Sequence, residues 1–164
     1  MRGKKRRAHE PGHRAKFLVV IDNTPECDRA VYFAARRAAR TAAAVTMLIV
    51  VEPIDFQQWL GVGDIMKAEA EAEAQETLER FAARARAIAG IEPERIVRVG
   101  AKAEEVIRLI EEDEDIFILV LAAGTGSEGP GPLVGMLAHK SESFPVPVAI
   151  VPGGLADEDL DALA

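Results

Sequence analysis

The sequence predicts a single-domain, doubly wound α/β fold with a five-stranded parallel sheet. Five short apolar runs rich in Val, Ile and Leu alternate with segments whose apolar residues recur at helical spacing. The segments between the runs are long enough for the right-handed crossovers that parallel strands require. With 164 residues, 49% of them apolar, the chain is large enough to bury one core.

The predicted elements follow one another along the chain. Residues 17–21 form the first strand, which ends at Asp22-Asn23-Thr24-Pro25. Thr24 is a suitable N-cap and Pro25 suits the first position of a helix over residues 26–40. The later strands are expected at 45–51, 96–99, 115–123 and 145–151, and the later helices from 64 onward, at 103–112 and at 133–143.

Two further segments of the predicted domain carry alternatives. A loop before residue 64 contains Trp59 with Phe56 and Leu60, an apolar patch that either folds over the end of the sheet or forms an interface. Pro145 and Pro147 lack backbone donors, which predicts that the fifth strand lies at a sheet edge. A second subunit would cover such an edge.

Charge is distributed unevenly along the chain. Seven of the 20 Lys and Arg residues but only one of the 27 acidic residues lie in the first 16 positions, which leaves 13 basic and 26 acidic residues beyond them. Because a body of charge −13 repels nucleic acid, no stable nucleic-acid binding is expected. Residues 1–15 are predicted to be a disordered basic arm that contacts RNA, an anionic lipid surface or nothing. Residues 153–164 are predicted to be a frayed acidic tail.

Cysteine content and hydropathy predict a cytoplasmic protein. One cysteine, Cys27, excludes an internal disulfide and fits a reducing compartment; it is either a redox sensor or an inert small residue. No apolar run reaches the ~20 residues of a membrane helix, and none resembles a signal peptide. His9, His13 and His139 have no metal-binding spacing, and no catalytic residues are predicted.

A glycine-rich run follows the fourth strand: Gly124-Thr125-Gly126-Ser127-Glu128-Gly129-Pro130-Gly131. Backbone N–H groups at the carboxyl end of a buried strand can form an anion-binding turn, and open α/β sheets bind their ligands at that edge. Glu128 adds a negative charge, and Pro130 and Pro132 remove two donors. The run is therefore either a phosphate-binding loop or a tight strand-to-helix connection without a ligand.

Two local motifs and the order of elements resemble the universal stress protein family over about residues 16–152. The first is Val19-Val20-Ile21-Asp22-Asn23-Thr24-Pro25, followed by a helix with small residues at Ala30, Ala34 and Ala38. The second is the glycine run followed by Pro145-Val146-Pro147-Val148. The resemblance implies a Rossmann-like sheet of order 3-2-1-4-5, similar to the adenine nucleotide alpha hydrolase fold. It also implies a homodimer through the strand at residues 145–151.

The resemblance further implies where ATP or AMP, with Mg²⁺, would bind. Strands 1 and 4 are neighbours at the switch point of that order, so Asp22 and the glycine run would face one crevice. The implied nucleotide-binding residues are Asp22, Asn23, Thr24, Val51, Gly124, Gly126, Ser127, Gly129, Gly131, Gly135 and Lys140. Asp22 alternatively accepts N–H groups at the start of the first helix, and Val51 is alternatively part of the strand core.

The ATP-binding pattern of that family is half present. It consists of Gly, two residues, Gly, nine residues, Gly and then Ser or Thr; it fits Gly126 and Gly129, but its closing pair falls on His139 and Lys140. Two functions therefore remain open: a dimeric stress-response regulator that binds an adenine nucleotide, and a dimeric adaptor or chaperone-like regulator that binds none.

An enzyme is not expected. The related adenylate-forming pyrophosphatases carry a Ser-Gly-Gly-x-Asp-Ser loop after the first strand, where this sequence has Asp22-Asn23-Thr24-Pro25. At most, weak ATP hydrolysis is expected.

Overall fold

A single parallel sheet organises the chain. The computed structural model describes residues 5–53, 56–126, 129, 131, 133–135, 137 and 144–164, with the backbone alone for residues 56–64. The strands are β1 (Lys16–Val20), β2 (Ala44–Val51), β3 (Glu94–Val99), β4 (Ile116–Ala123) and β5 (Val148–Pro152). The helices are α1 (Cys27–Thr41), α2 (Phe56–Ala89), α3 (Lys102–Glu112) and α4 (Asp157–Leu163). The order of the strands in the sheet is β3-β2-β1-β4-β5, and every neighbouring pair is parallel, which confirms the expected topology.

The two faces of the sheet carry separate apolar clusters. In β1, Phe17 and Val19 face one cluster while Leu18 and Val20 face the other, because successive side chains of a strand point in opposite directions. The first cluster contains residues of α1, α2 and α4, and the second contains residues of α3 and Leu137. Helices therefore cover both faces of the sheet, and β1 lies at its buried centre.

Helix α1 packs closely against the sheet because its inner face is built from alanine. Ala30, Ala34 and Ala38 are fully buried. Small side chains let a helix backbone approach a sheet without creating a gap. The helix ends at Ala42, whose left-handed backbone (φ 56°) turns the chain toward β2 and whose N–H donates to the Ala38 carbonyl oxygen.

The start of α1 differs from the prediction. The helix begins at Cys27, so Pro25 lies before its first position, and no side-chain hydrogen bond caps it. The hydroxyl of Thr24 points back to Asp22 instead of forward to the helix. The hydroxyl donates its proton to a carboxylate two residues away, and this bond orients the Thr24 side chain away from the helix N–H groups that it would accept from as an N-cap.

Helix α2 begins earlier than predicted. Residues 56–63, expected as a loop, are helical, and the helix runs 34 residues to Ala89. Gly61 and Gly63 each lower helix stability by roughly 1 kcal/mol relative to alanine. Extension of an existing helix offsets this loss, because each added residue gains a backbone hydrogen bond. The side chain of Trp59, predicted to form a lid or an interface, lies outside the described residues. Across the described part of the chain, no helix is long and apolar enough to cross a membrane.

The described part of the N-terminal segment, residues 5–15, lies against the domain, unlike the disordered arm that we expected. The guanidinium of Arg6 donates to the carbonyl oxygens of Ile110 at 2.5 Å and Asp113 at 3.0 Å. The N–H of Arg7 donates to the Glu114 carbonyl oxygen at 2.8 Å, and Ala8 is buried. The guanidinium of Arg6 thus lies at the C-terminal end of α3, where the helix dipole is negative.

The C-terminal segment also differs from the expected frayed tail. Residues 157–163 form α4, which packs on α1. Leu160 is fully buried, and the carboxylate of Asp161 accepts hydrogen bonds from Tyr32 at 2.7 Å and Arg36 at 2.9 Å. Arg29, Arg36 and Arg40 of α1 contact this segment, so its acidic composition favours docking here.

Two predictions concern residues near the end of the chain. Among the strands of the described residues, β5 pairs with β4 alone, which confirms that it forms a sheet edge. Residues 133–135 and 137 are helical, in agreement with the predicted helix at 133–143, and the remainder of that helix lies outside the described residues.

Candidate functional site

The turn after β1 is shaped by Asp22. Its Oδ1 atom accepts the backbone N–H of Thr24 at 3.0 Å and the Thr24 hydroxyl at 2.5 Å. A carboxylate that holds a residue two positions ahead closes a tight turn. The turn leaves Asn23, Thr24 and Pro25 exposed at the carboxyl end of the strand.

The segment after β4 leaves the sheet beside that turn. The N–H of Gly129 donates to the Gly126 carbonyl oxygen at 3.2 Å, and the N–H of Gly135 donates to the Gly131 carbonyl oxygen at 3.0 Å. Gly129 and Gly131 have φ values of +88° and +106°, which other residue types rarely adopt. Two of the predicted phosphate donors are therefore used within the segment itself.

Two adjoining cavities lie between these turns. The smaller, of about 40 Å³, is lined by Asp22, Thr24 and Gly131 together with the ends of β1 and β4. The larger, of about 540 Å³, is lined by Thr24 and by Gly124, Gly126 and Gly129. The fold thus brings residues about 100 positions apart to one crevice at the switch point of the sheet.

Glu26, like Thr24, belongs to the walls of both cavities. A Cβ atom at Gly124 would lie 3.0 Å from the Glu26 Oε1 atom and 3.1 Å from the Gly129 carbonyl oxygen. A Cβ atom at Gly153 would lie 2.9 Å from the Glu26 Cβ atom. A side chain at position 124 would therefore be tightly packed, and the Glu26 carboxylate would have to shift by a few tenths of an ångström to admit it.

Lys102 brings a positive charge to the crevice. It is the first residue of α3, and its side chain lines the smaller cavity with Asp22 and Glu26. Its backbone N–H donates to the Glu52 Oε1 atom at 2.8 Å, which fixes the start of the helix. Among the described residues lining the two cavities, Lys102 is the only Lys or Arg.

Cys27 lies at the base of the smaller cavity and is 2% exposed. Burial raises the pKa of its thiol to about 12. A thiol with that pKa is protonated at neutral pH and is a poor nucleophile. The geometry favours the inert small residue over the redox sensor.

The remaining predicted site residues lie elsewhere. Asn23 lines a different cavity, beside Glu73 and Arg80 of α2. The Val51 carbonyl oxygen accepts the N–H of Gly100 at 3.0 Å, so that group is used where β2 meets the end of β3. Gly135 lies in the helical residues after Gly131 and is absent from the walls of both cavities. Ser127 and Lys140 lie outside the described residues.

Sequence reasoning missed Glu26 and Lys102. No Lys or Arg lies between Arg108 and Lys140, around the glycine run, whereas Lys102 is the first residue of α3, directly after the β3–α3 connection. The sequence did contain a signal for Lys102, because it follows shortly after β3 and the carboxyl ends of all parallel strands meet at one edge of the sheet. The residues that follow β3 were therefore candidates as well.

The crevice combines carboxylates with hydrogen-bonding groups and one ammonium. Asp22, Glu26 and Lys102 give its described walls a charge of −1. In the described part of the chain, no three His, Cys, Asp or Glu side chains are grouped as a metal site. Such walls offer hydrogen-bonding groups and charges of both signs to a polar ligand.

The sequence matches a family model over most of its length. The model of the "Universal stress protein family" matches residues 13–152. This chain belongs to the universal stress protein family. In the comparison with curated proteins, no sequence matched the chain.

Solved structures share the universal stress protein fold with this chain. Universal stress protein UspA from Lactobacillus plantarum is 17% identical, with a TM-score of 0.70, and the match covers 84% of this chain and 97% of that one. A universal stress protein in complex with cAMP is 22% identical, with a TM-score of 0.61, and the match covers 84% of this chain and 96% of that one.

A third solved structure carries another adenine nucleotide. The universal stress protein from Archaeoglobus fulgidus in complex with dAMP is 20% identical, with a TM-score of 0.57, and the match covers 84% of this chain and 97% of that one. At these identities the likeness establishes the fold.

Proposed function

We propose that this universal stress protein is a stress-response regulator that binds an adenine nucleotide in the crevice between the ends of β1 and β4. The proposal depends chiefly on one observation: the Asp22–Thr24 turn and the glycines after β4 line adjoining cavities at the switch point of the sheet. The cAMP and dAMP complexes of proteins with this fold support the choice of an adenine nucleotide.

Each wall of the crevice has a role in the proposed complex. Lys102 supplies the charge that attracts phosphate, and the open space over Gly126 leaves room for the ligand beside the backbone. Asp22 orients Thr24, whose exposed position suits a contact with a ribose or phosphate oxygen. In this proposal the nucleotide acts as a bound effector and any hydrolysis is weak.

Mg²⁺ fits the donor set of the crevice. Asp22 and Glu26 offer carboxylate oxygens on the walls of the same cavity, and Mg²⁺ is commonly held by one or two carboxylates together with phosphate oxygens. A bound Mg²⁺ would supply positive charge against a polyphosphate. Without it, the net negative wall favours a ligand with few phosphate charges, such as AMP.

We further propose that the protein forms a homodimer through β5. The outer edge of β5 leaves backbone groups available for pairing, and Ile150 is 45% exposed. Beside it lies an apolar groove of about 420 Å³, lined by Val134, Leu137, Phe144, Val146, Pro147, Val148 and Ile150. A strand edge next to an apolar groove suits a second copy of the same surface related by a two-fold axis.

Thermal unfolding with added nucleotide tests the binding proposal. A ligand present at 100 times its dissociation constant stabilises the native state by about 2.7 kcal/mol. We expect AMP, cAMP or ATP with Mg²⁺ at millimolar concentration to raise the melting temperature. Gly126→Val should abolish the shift without lowering the stability of the free protein, since a Cβ atom there meets nothing within 4 Å.

A matched variant separates loss of binding from a general effect. Ala39→Val adds the same side chain at an exposed position of α1, and should leave the nucleotide shift unchanged. If no nucleotide shifts the melting temperature of the wild-type protein, and none is released when it is denatured, the crevice does not bind nucleotides. The alternative function, a dimeric adaptor or chaperone-like regulator without a nucleotide, would then replace the proposal.

A further inference from the structure

A second cavity lies at the opposite end of the sheet from the nucleotide crevice. It has a volume of about 420 Å³ and lies between the N-terminal segment, residues 5–15, and the C-terminal end of α1. Its walls include His9, Arg14, Phe17, Arg37, Thr41 and Phe117. Because the strands are parallel, their amino ends meet here and their carboxyl ends meet at the crevice. None of the described residues that line this cavity also lines the nucleotide crevice.

The base of this cavity is aromatic. Phe117 contacts Phe17 edge-on, with ring centroids 4.9 Å apart, and His9 lies against Phe117 with centroids 5.3 Å apart. Phe17 is 2% exposed, so its ring is fixed in the core. The half-buried ring of Phe117, held by Phe17 and His9, presents the apolar surface of the base at little cost in side-chain freedom. A ligand with a flat apolar body fits this surface.

The charged residues of the cavity wall are basic. Arg14 and Arg37 line it, and none of the described wall residues is Asp or Glu. The chain as a whole is acidic, with a formal charge of −7. The cavity is thus a local basic environment on an acidic protein. A ligand that carries a negative charge is favoured there over a neutral or positively charged one.

Arg14 counters the negative end of α1. Its guanidinium donates to the carbonyl oxygens of Ala42 at 3.1 Å and Ala43 at 3.2 Å, where the helix has ended. The carbonyl oxygens at a helix C-terminus carry partial negative charge and would otherwise repel an anion. Arg14 thus pairs with two carbonyl oxygens directly after α1, which reduces the negative charge that an anion in the cavity would meet there.

Arg37 leaves its charge available to a ligand. It is an exposed residue of α1, and among the described residues its guanidinium makes no hydrogen bond or ion pair. Many other arginines of the described chain pair with a carboxylate, for example Arg36 with Asp161 and Arg98 with Glu112. A planar guanidinium beside an aromatic floor matches a carboxylate attached to a flat ring.

We propose that this basic cavity is a second ligand site, which binds a small aromatic carboxylate. In this arrangement the ring lies against Phe117 and the carboxylate accepts hydrogen bonds from Arg37. The proposal goes beyond nucleotide binding and does not depend on it, because the two cavities lie at opposite ends of the sheet.

Calorimetric titration of the full chain with 1-naphthoate tests the proposal. We expect saturable binding with one site per chain, and binding at least about tenfold weaker for the uncharged 1-naphthamide, which has the same ring without the charge. Arg37→Ala should weaken naphthoate binding by about tenfold. Because Arg37 is exposed, this variant should fold like the wild type.

Two control variants make the outcome specific. Arg80→Ala removes another exposed arginine, on α2, and should leave naphthoate binding unchanged. Lys102→Ala alters the nucleotide crevice and should also leave it unchanged. Absence of saturable naphthoate binding to the wild type would overturn the proposal. Equal binding of naphthamide, an equal loss in Arg37→Ala and Arg80→Ala, or a loss in Lys102→Ala alone would also overturn it.

Discussion

The carboxylate of Asp22 holds Thr24 by two hydrogen bonds to one oxygen atom, from the backbone N–H at 3.0 Å and from the hydroxyl at 2.5 Å. This pair fixes the turn between β1 and α1 at the mouth of the candidate crevice. Hydrogen bonds to a charged group contribute more to stability than neutral ones, so the pair is expected to matter for folding as well as for the ligand.

Asp22→Ala should lower the free energy of unfolding by about 1 kcal/mol, because the N–H and hydroxyl of Thr24 both lose their acceptor. Asp22→Asn keeps an oxygen acceptor and should retain most of that stability. Urea unfolding curves of the three proteins measure the difference. Equal midpoints for the wild type and Asp22→Ala would show that solvent replaces Asp22 without loss.

Lys102→Ala should weaken the binding of AMP by about tenfold, since it removes the positive charge that lines the smaller cavity. Its stability should not change, because the helix start is fixed by the backbone N–H of residue 102. Lys67→Ala, at an exposed position of α2, is the matched control and should bind AMP normally. Equal AMP affinities of the two variants would remove Lys102 from the proposed site.

Cys27 should make stability fall at alkaline pH. The ordinary pKa of a cysteine is 9.0, and burial raises that of Cys27 to about 12 in the folded protein. Between these values the unfolded chain loses a proton that the folded chain keeps, so the free energy of unfolding decreases as pH rises from about 9 toward about 12.

Comparison with Cys27→Ala isolates this contribution. Any stability advantage of the wild type over Cys27→Ala should be constant below about pH 9 and shrink above it. Urea unfolding at a series of pH values gives the difference directly. A difference that does not vary with pH up to 11 would mean that the thiol is less buried than its 2% exposure indicates.

Docking of α4 on α1 should contribute strongly to stability. Leu160 is fully buried, and Leu→Ala at such a position typically costs about 2–5 kcal/mol. Leu163 belongs to the same helix but is 61% exposed, so Leu163→Ala should change the free energy of unfolding by less than about 0.5 kcal/mol. Chemical denaturation of both variants measures the contrast, and similar small losses would indicate that α4 is frayed in solution.

Ile150→Lys should convert the proposed homodimer into a monomer. The side chain is 45% exposed on the edge strand, beside the apolar groove, and a buried lysine there would lack a partner. Ile65→Lys introduces the same charge at a 67% exposed position of α2 and should leave assembly unchanged. Sedimentation velocity at tens of micromolar distinguishes the two states. A monomeric wild type would refute the proposed interface.

Much of the fold followed from local sequence patterns. Runs such as Phe17–Val20 are apolar at every position because both faces of a central parallel strand are buried. The alanines of α1 recur at helical spacing because that face lies on the sheet. The prolines before β5 marked it as an edge strand, since residues without an N–H are excluded from a central ladder.

The candidate site was only partly predictable. Asp22, Thr24 and the glycines of the run lie where parallel strands end, and the order of the strands brings them together. Asn23 and Val51 were assigned through the family resemblance, yet Asn23 lines a cavity beside α2 and the carbonyl oxygen of Val51 is used beside β3. Lys102 belongs to α3, and its position beside the crevice depends on how α3 packs against the sheet.

The sequence by itself determined the parallel sheet, its strand order through the family resemblance, and the glycine-rich segment beside Asp22. Tertiary structure alone decided what happens to both ends of the chain and which charges reach the crevice. Residues 5–15 and 157–163 have the polar composition of solvated tails, but the partners of Arg6 and Asp161 are more than 100 positions away. Local patterns predict burial along an element, whereas hydrogen bonds and ion pairs between distant residues exist only after the chain has folded.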